Sequence, residues 1–414
     1  MCVAAALLLS LLAGFGSADT PPSPSWSATW GGAQADRGWG IAVDSGSNVI
    51  ITGDTWSFGA GNGDAFVAKY NSTGSQLWNA TWGGTLTDDG DGVAVDSAGN
   101  IIVSGQVYSF GAANGDAFVA KFNSTGSQLW NVTWGGANND YGRGVDADSA
   151  GNILVTGRTD SFGTVGYDAF AAEYNSTGSL LWNATWGSTN YEEGFGAAFD
   201  PDGNAIVSGW TDSFGAGGYD AFVAKFNSTG GQLWNVTWGG TGNDYSNGVA
   251  VDSDGNIIIA GNTNSFGAGG SDAFVAKYNS TGSQLWNVTW GGANTEYGTG
   301  VAVDSSGKIT VAGRTDSFGA GNGDAFVARY NSTGSQLWAV TWGGGAVDEA
   351  EGVAVDSSGN AVIAGQTSSL GAGGIDAFVA KFALAPDVPE FPGLAAIAAV
   401  LLAAGGYAMV RRKR

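Results

Sequence analysis

Residues 116–136 read DAFVAKFNSTGSQLWNVTWGG, and this stretch returns along the chain at a fixed interval. Its Asp-Ala-Phe opening recurs at Asp64, Asp116, Asp168, Asp220, Asp272, Asp324 and Asp376, always 52 residues apart. A second block, Trp-x-x-Thr-Trp-Gly, starts at Trp26, Trp78, Trp130, Trp182, Trp234, Trp286 and Trp338, again every 52 residues. A repeat of this size is one supersecondary unit that buries its apolar faces against its neighbours.

Working outward from 116–136, one unit holds four strand-like runs. In the second repeat they are 92–96, 100–105, 116–123 and 128–134. Turn chemistry separates them: Ser97-Ala98-Gly99 between the first pair and Ser124-Thr125-Gly126 between the last pair. The Gly- and Ala-rich stretch 106–115 joins the second run to the third. Several runs are apolar on both faces, as a sheet sandwiched between two others requires. The pattern predicts an all-β chain, a seven-bladed β-propeller with four antiparallel strands per blade.

The ends of the array point to a closed ring. The last unit stops after Lys381 and Phe382, without its own Trp block, while an orphan Trp block (26–32) precedes the first unit. The N-terminal strand is therefore predicted to complete the last blade beside 376–382. The expected propeller spans 26–382.

Composition agrees with a packed β-protein. The chain has 414 residues, 72 of them Gly, with 12% aromatic and only 13% charged residues. Net charge is −22, and without the terminal Arg411, Arg412, Lys413 and Arg414 the body holds 11 basic residues against 37 acidic ones. Such a field repels nucleic acid and anionic lipid and favours cations. There is no His, and the single Cys, Cys2, falls in the N-terminal apolar segment. His-based acid–base chemistry, Cys nucleophiles and thiolate metal sites are excluded.

Both ends read as addresses. Residues 3–15 are apolar, and Gly16 and Ala18 sit as small residues before a cut after Ala18, so 1–18 is expected to be a secretory signal peptide. Residues 383–393 form a linker ending in Pro389, Glu390, Phe391, Pro392 and Gly393. An apolar segment and a basic tail follow over 394–414, which reads as a membrane or sorting segment. This order of Pro-Glu-Phe motif, apolar run and basic tail resembles archaeal PEF-type C-terminal sorting signals. The resemblance implies an extracellular protein anchored to an archaeal cell envelope.

The repeat itself resembles the SBBP-type β-propeller repeat. The matching residues are Gly-Val-Ala-Val-Asp-Ser-x-Gly-Asn-Ile, then Gly-Asp-Ala-Phe-Val-Ala-Lys, then Leu-Trp-x-x-Thr-Trp-Gly-Gly. The likeness covers 26–382 and implies the fold more than a function. Kelch repeats have a similar period, but their glycine pair follows an inner strand, whereas Gly83 and Gly84 follow the outermost.

Four sets of residues are candidates for function. An acid stands in every connection from outer strand to next inner strand: Asp36, Asp88, Asp140, Glu192, Asp244, Glu296 and Asp348. In a closed ring these are expected to circle the channel mouth, where Ca²⁺ is the cation that oxygen ligands would draw; independent bonds to loop amides are the plainer reading. Beside them the frame varies, at Trp39, Asp91, Arg143, Phe195, Asn247, Thr299 and Glu351, and at the positions of Arg37, Asp89, Tyr141, Glu193, Tyr245, Tyr297 and Glu349. A ligand site is expected there. Eleven Asn-x-Ser/Thr acceptors form the third set: Asn71, Asn123, Asn175, Asn227, Asn279 and Asn331 in turns, and Asn79, Asn131, Asn183, Asn235 and Asn287 in the outer strand. The paired Trp positions are the fourth, expected as packing between blades with sugar stacking as the other reading. The aspartates after the first strand, such as Asp96 and Asp252, read as Asx turns.

No cofactor is called for, and no nucleophile–base pair or phosphate loop is present. The expected function is noncatalytic: a monomeric, glycosylated surface propeller acting as adhesin, envelope component or binding scaffold for a glycan or protein partner. The alternative is an extracellular carbohydrate-active or other hydrolytic enzyme using channel-mouth carboxylates.

Overall fold

A computed structural model describes residues 22–111 and 114–383. The segments 1–18, 389–393 and 394–414, read above as signal peptide, sorting motif and membrane or sorting segment, lie outside the described residues.

The described residues form 28 strands in seven four-stranded antiparallel sheets, and none of them is helical. Six blades are each built from consecutive strands. The seventh takes its inner three strands from Asp348–Val355, Ala361–Thr367 and Asp376–Phe382, and its outer strand from the N-terminal Pro24–Trp30. Trp30 pairs with Ala377 and Ala28 with Val379 across this junction. The predicted closure is the observed one.

Each blade follows one burial gradient. The second and third strands, such as Ile101–Val107 and Asp116–Phe122, are buried throughout, because a neighbouring blade covers each face. The outer strand, such as Gln128–Trp134, alternates between exposed and half-buried residues. Every core cluster draws on two adjacent blades: Ile50, Ala65 and Val67 of the first pack with Ile101, Val103 and Phe118 of the second. Stability therefore resides between blades, which is why the frame is so repetitive.

The paired tryptophans are the mortar. The second of each pair stacks on a Phe of the next blade, as in Trp82 on Phe118 at 4.2 Å and Trp134 on Phe170 at 4.1 Å. In five of the seven pairs the first tryptophan donates its indole N–H to the next blade's turn, as in Trp78 to the Ser124 carbonyl at 3.2 Å. This bears out packing between blades as their role.

One boundary differs from expectation. The inner strand of the second blade runs Asp88–Val95, four residues earlier than 92–96, and its register slips between Gly90 and Gly92. A β-bulge at this point is invisible to alternation counting, since it breaks the period of two. Gly105 makes room for it: a Cβ there would stand 1.9 Å from the Asp89 carbonyl oxygen.

Candidate functional site

The bulge decides which residues face the channel. It places the seven acids at the first position of the inner strand and turns them into the blade. Asp36, Asp88, Asp140, Glu192, Asp244, Glu296 and Asp348 are all fully buried. They do not circle the channel mouth as the sequence suggested. Each instead ties three segments of its own blade edge together. Asp140 accepts from the Gly136 N–H at 2.8 Å, from the Ser161 hydroxyl at 2.7 Å and from the Thr159 hydroxyl. Glu192 repeats this with the Ser188 N–H at 2.9 Å and the Thr211 hydroxyl at 2.8 Å. The plainer reading of bonds within the loop thus describes their geometry. Among the described residues, no three carboxylates come close enough together to hold a metal ion.

The Asx turns are present, with an addition. Asp96 accepts the Ala98 and Asn100 N–H groups at 2.9 and 2.8 Å, and also the Lys121 ammonium at 2.8 Å in a buried ion pair. Burial works against its charge, but the bonds from Lys121 and Asn100 outweigh this and hold its carboxyl below the usual range. The same pair recurs as Lys69–Asp44, Lys225–Asp200, Lys277–Asp252, Arg329–Asp304 and Lys381–Asp356. The third blade departs from it: Glu173 takes the basic position and accepts the Trp182 indole N–H at 2.8 Å. Burial, and then the charge of Asp148, push the Glu173 carboxyl up.

The channel mouth is lined by the variable set. Trp39, Asp91, Arg143, Phe195, Asn247, Thr299 and Glu351, one from each blade, surround a cavity of about 470 Å³ that also touches Tyr297 and Glu349. Polar contacts fix most of them. Trp39 donates to Asp54 at 2.7 Å, Asn247 to the Gly298 carbonyl at 2.8 Å, and Thr299 to the Ala350 carbonyl at 2.7 Å. Arg143 bridges Asp91 at 3.2 Å and Glu193 at 2.9 Å, and its guanidinium lies 5.4 Å from the Phe195 ring centre.

Acids crowd one side of this mouth. Burial, with Asp91 and Asp54 nearby, pushes the Asp89 carboxyl up to about 7. Burial raises Asp91 to about 6, against the pull of Arg143. Glu349 and Glu351 both accept from the Gln366 amide, at 3.2 and 3.3 Å. Burial and then the Glu349 charge lift Glu351 well above the ordinary carboxylate range.

Blades three to five carry an aromatic arc on the same edge. Trp210 lies 4.7 Å from Tyr219 and 6.0 Å from Tyr245, Tyr167 lies 4.7 Å from Tyr191, and Arg158 sits over Tyr141 at 4.1 Å. The sequence reading missed Tyr167, Trp210 and Tyr219. Comparing position by position across the units would have exposed them, because other units place Gly63, Asp54 and Gly115 at the corresponding places.

On the outside, the two Asn sets differ. The outer-strand acceptors, such as Asn79 and Asn131, are exposed. The turn acceptors are half-buried and hold their own turn: the Asn71 side-chain amide oxygen accepts from the Thr73 hydroxyl at 2.9 Å and the Ser75 N–H at 2.9 Å.

These features define a β-propeller with a uniform frame and an individually varied channel face. The model of the SBBP beta-propeller repeat matches residues 134–163, and that of a Domain of unknown function (DUF5122) beta-propeller matches 253–284 and 305–336. An uncharacterized WD repeat-containing protein, L264 of Acanthamoeba polyphaga mimivirus, is 23% identical over 82% of this chain and 36% of its own length. The regulatory protein FlaEY of Caulobacter vibrioides is 31% identical over 28% of this chain and 14% of its own. The chain thus spans about a third or less of these relatives. Among solved structures, the WD40 β-propeller domain of Doa1 superposes with a TM-score of 0.57 at 12% identity, covering 88% of this chain and 98% of that one. The Neurospora crassa Pan2 WD40 domain gives 0.50 at 11% identity, covering 88% and 96%. At such identities the likeness is one of fold.

Proposed function

We propose that this protein is a noncatalytic binding scaffold displayed at the cell surface, an adhesin or envelope component whose ligand face is the channel mouth. One observation carries the reading: the blade frame is nearly invariant, while the channel ring reads Trp39, Asp91, Arg143, Phe195, Asn247, Thr299 and Glu351. Variation on a rigid frame is how a partner-specific surface is written. The surface address rests on the apolar ends and the Pro389–Gly393 motif, and decoration rests on the exposed Asn79, Asn131, Asn183, Asn235 and Asn287.

Intact mass spectrometry of the native protein from its own envelope, before and after deglycosylation, tests the address. Loss of both ends together with added glycan mass is expected. An unprocessed chain without sugar overturns the surface reading.

The hydrolytic alternative has one observation in its favour, the Glu349–Glu351 pair sharing the Gln366 amide with a raised Glu351 carboxyl. A protonated and an ionised acid are the parts that glycoside hydrolysis needs. Turnover of a polysaccharide that is lost in Glu351→Gln would establish it; no turnover is expected.

A further inference from the structure

We infer that the notch between the fifth and sixth blades binds a neutral pyranose ring, as a subsite of the same edge of the propeller that carries the channel mouth. The inference rests on the binding-scaffold reading.

The notch encloses about 470 Å³, within the range of small-molecule sites. Its lining side chains are Asn243, Asn262, Asn264, Ser271, Tyr245 and Tyr297, with Thr295 and the backbone of Gly269 and Gly270 completing it. None of these carries a charge, in a chain whose net charge is −22. Amides and hydroxyls both donate and accept, which is the pattern that sugar hydroxyls present. The two tyrosine rings supply apolar faces for the C–H side of a pyranose. An anionic sugar would meet the acidic field of the whole body.

The notch is open because no large side chain reaches into it, whereas other blades fill the same place in different ways. Asn262 stands where the fourth blade has Trp210, and Ser271 where it has Tyr219, and there the two rings close the space at 4.7 Å. In the third blade Arg158 lies over Tyr167 at 4.5 Å. In the sixth, Arg314 fills the space, leaving 2.4 Å to a Cβ on Gly323, and in the first Trp56 leaves 3.1 Å to a Cβ on Gly63. The fifth blade leaves the same place open.

The polar wall is held in position. Asn247 donates to the Asn262 side-chain amide oxygen at 3.2 Å, the Asn262 amide donates to the Ser271 hydroxyl at 3.2 Å, and Ser271 donates to the Thr263 backbone carbonyl at 3.4 Å. Asn243 is fixed by the Tyr219 N–H at 3.1 Å. A site organised before binding loses less entropy when its ligand arrives. Tyr245 also lies 5.6 Å from Tyr219, so the aromatic arc continues from the notch and can support a second sugar ring.

The test is saturation-transfer NMR of the full chain with neutral hexoses, their oligomers and the matching uronic acids. Saturable contact is expected with neutral sugars and absent with uronates. The double substitution Asn262→Trp with Ser271→Tyr writes the fourth blade's pair into the fifth. It is expected to weaken binding at least tenfold while thermal unfolding stays unchanged, since this pair already packs in the frame. Leu285→Ser, on the exposed outer strand of the same blade, is expected to leave sugar binding intact. Absence of contact with every neutral sugar, or undiminished binding in the filled variant, overturns the inference. Either result leaves the channel-mouth scaffold to stand or fall by its own tests.

Discussion

Trp30, in the strand that closes the ring, stacks on Phe66 of the first blade with ring centroids 3.9 Å apart and planes inclined by 18°. The contact joins the seventh blade to the first, and it is the same contact that every other pair of neighbours makes. Closure therefore adds a seventh equivalent interface and removes two open ends.

Trp30→Ala is expected to lower unfolding stability by about 3–5 kcal/mol, the usual cost of deleting a buried large aromatic. Denaturant unfolding checks it. Removing 22–30 altogether should do more, because it bares the edge of Asp376–Phe382 as a template for association. Light scattering would then show aggregates absent from the full chain.

Asp140→Ala is expected to cost about 3 kcal/mol or more, since the Gly136, Ser161 and Thr159 donors all lose their acceptor. The same geometry predicts that chelation with EDTA leaves the melting temperature unchanged, because the carboxylates of this set are occupied by protein donors. A melting point that drops with EDTA and returns with Ca²⁺ would restore the cation reading.

Glu173→Lys is expected to stabilise the protein by about 1–3 kcal/mol at neutral pH, the worth of a charge-assisted bond. The new ammonium would face Asp148, as Lys121 faces Asp96. Trp182 would lose its carboxylate acceptor and gain the Ser228 carbonyl, the partner its counterparts use. Differential scanning calorimetry of the two chains decides this.

Asp89 gives a pH signature. Its folded-state carboxyl is raised to about 7, so between about pH 4 and 7 the folded chain keeps a proton that the unfolded chain releases. Stability at this site is full below about pH 4 and is lost as pH rises toward 7. Asp89→Asn should therefore raise the melting temperature at pH 8 and leave it unchanged near pH 4. An equal gain at both values would show that the effect is not titration.

The strand pattern, the blade count and the closing strand were legible in the residues alone because they depend on local propensity and strict recurrence. The paired Trp positions were legible for the same reason, since a side chain repeated in every unit must serve what every unit shares. The acids were misplaced because Gly90–Gly92 hides a bulge. One extra residue reverses which face a side chain takes, and no count of alternating residues reports it. The partners of Lys121 and its counterparts escaped as well, because Asp96 lies 25 residues away along the chain and meets it only across the folded sheet.

Recurrence is enough to specify the ring: seven like units with complementary ends can bury their two-sided strands only against one another. Which side chains face the channel, and where the wall between blades stays open, was settled by packing in three dimensions. Those outcomes rest on a bulge and on pairs such as Asn262 and Ser271, which belong to different strands and meet only in the folded blade. Their size matters only once neighbouring blades have fixed the space around them.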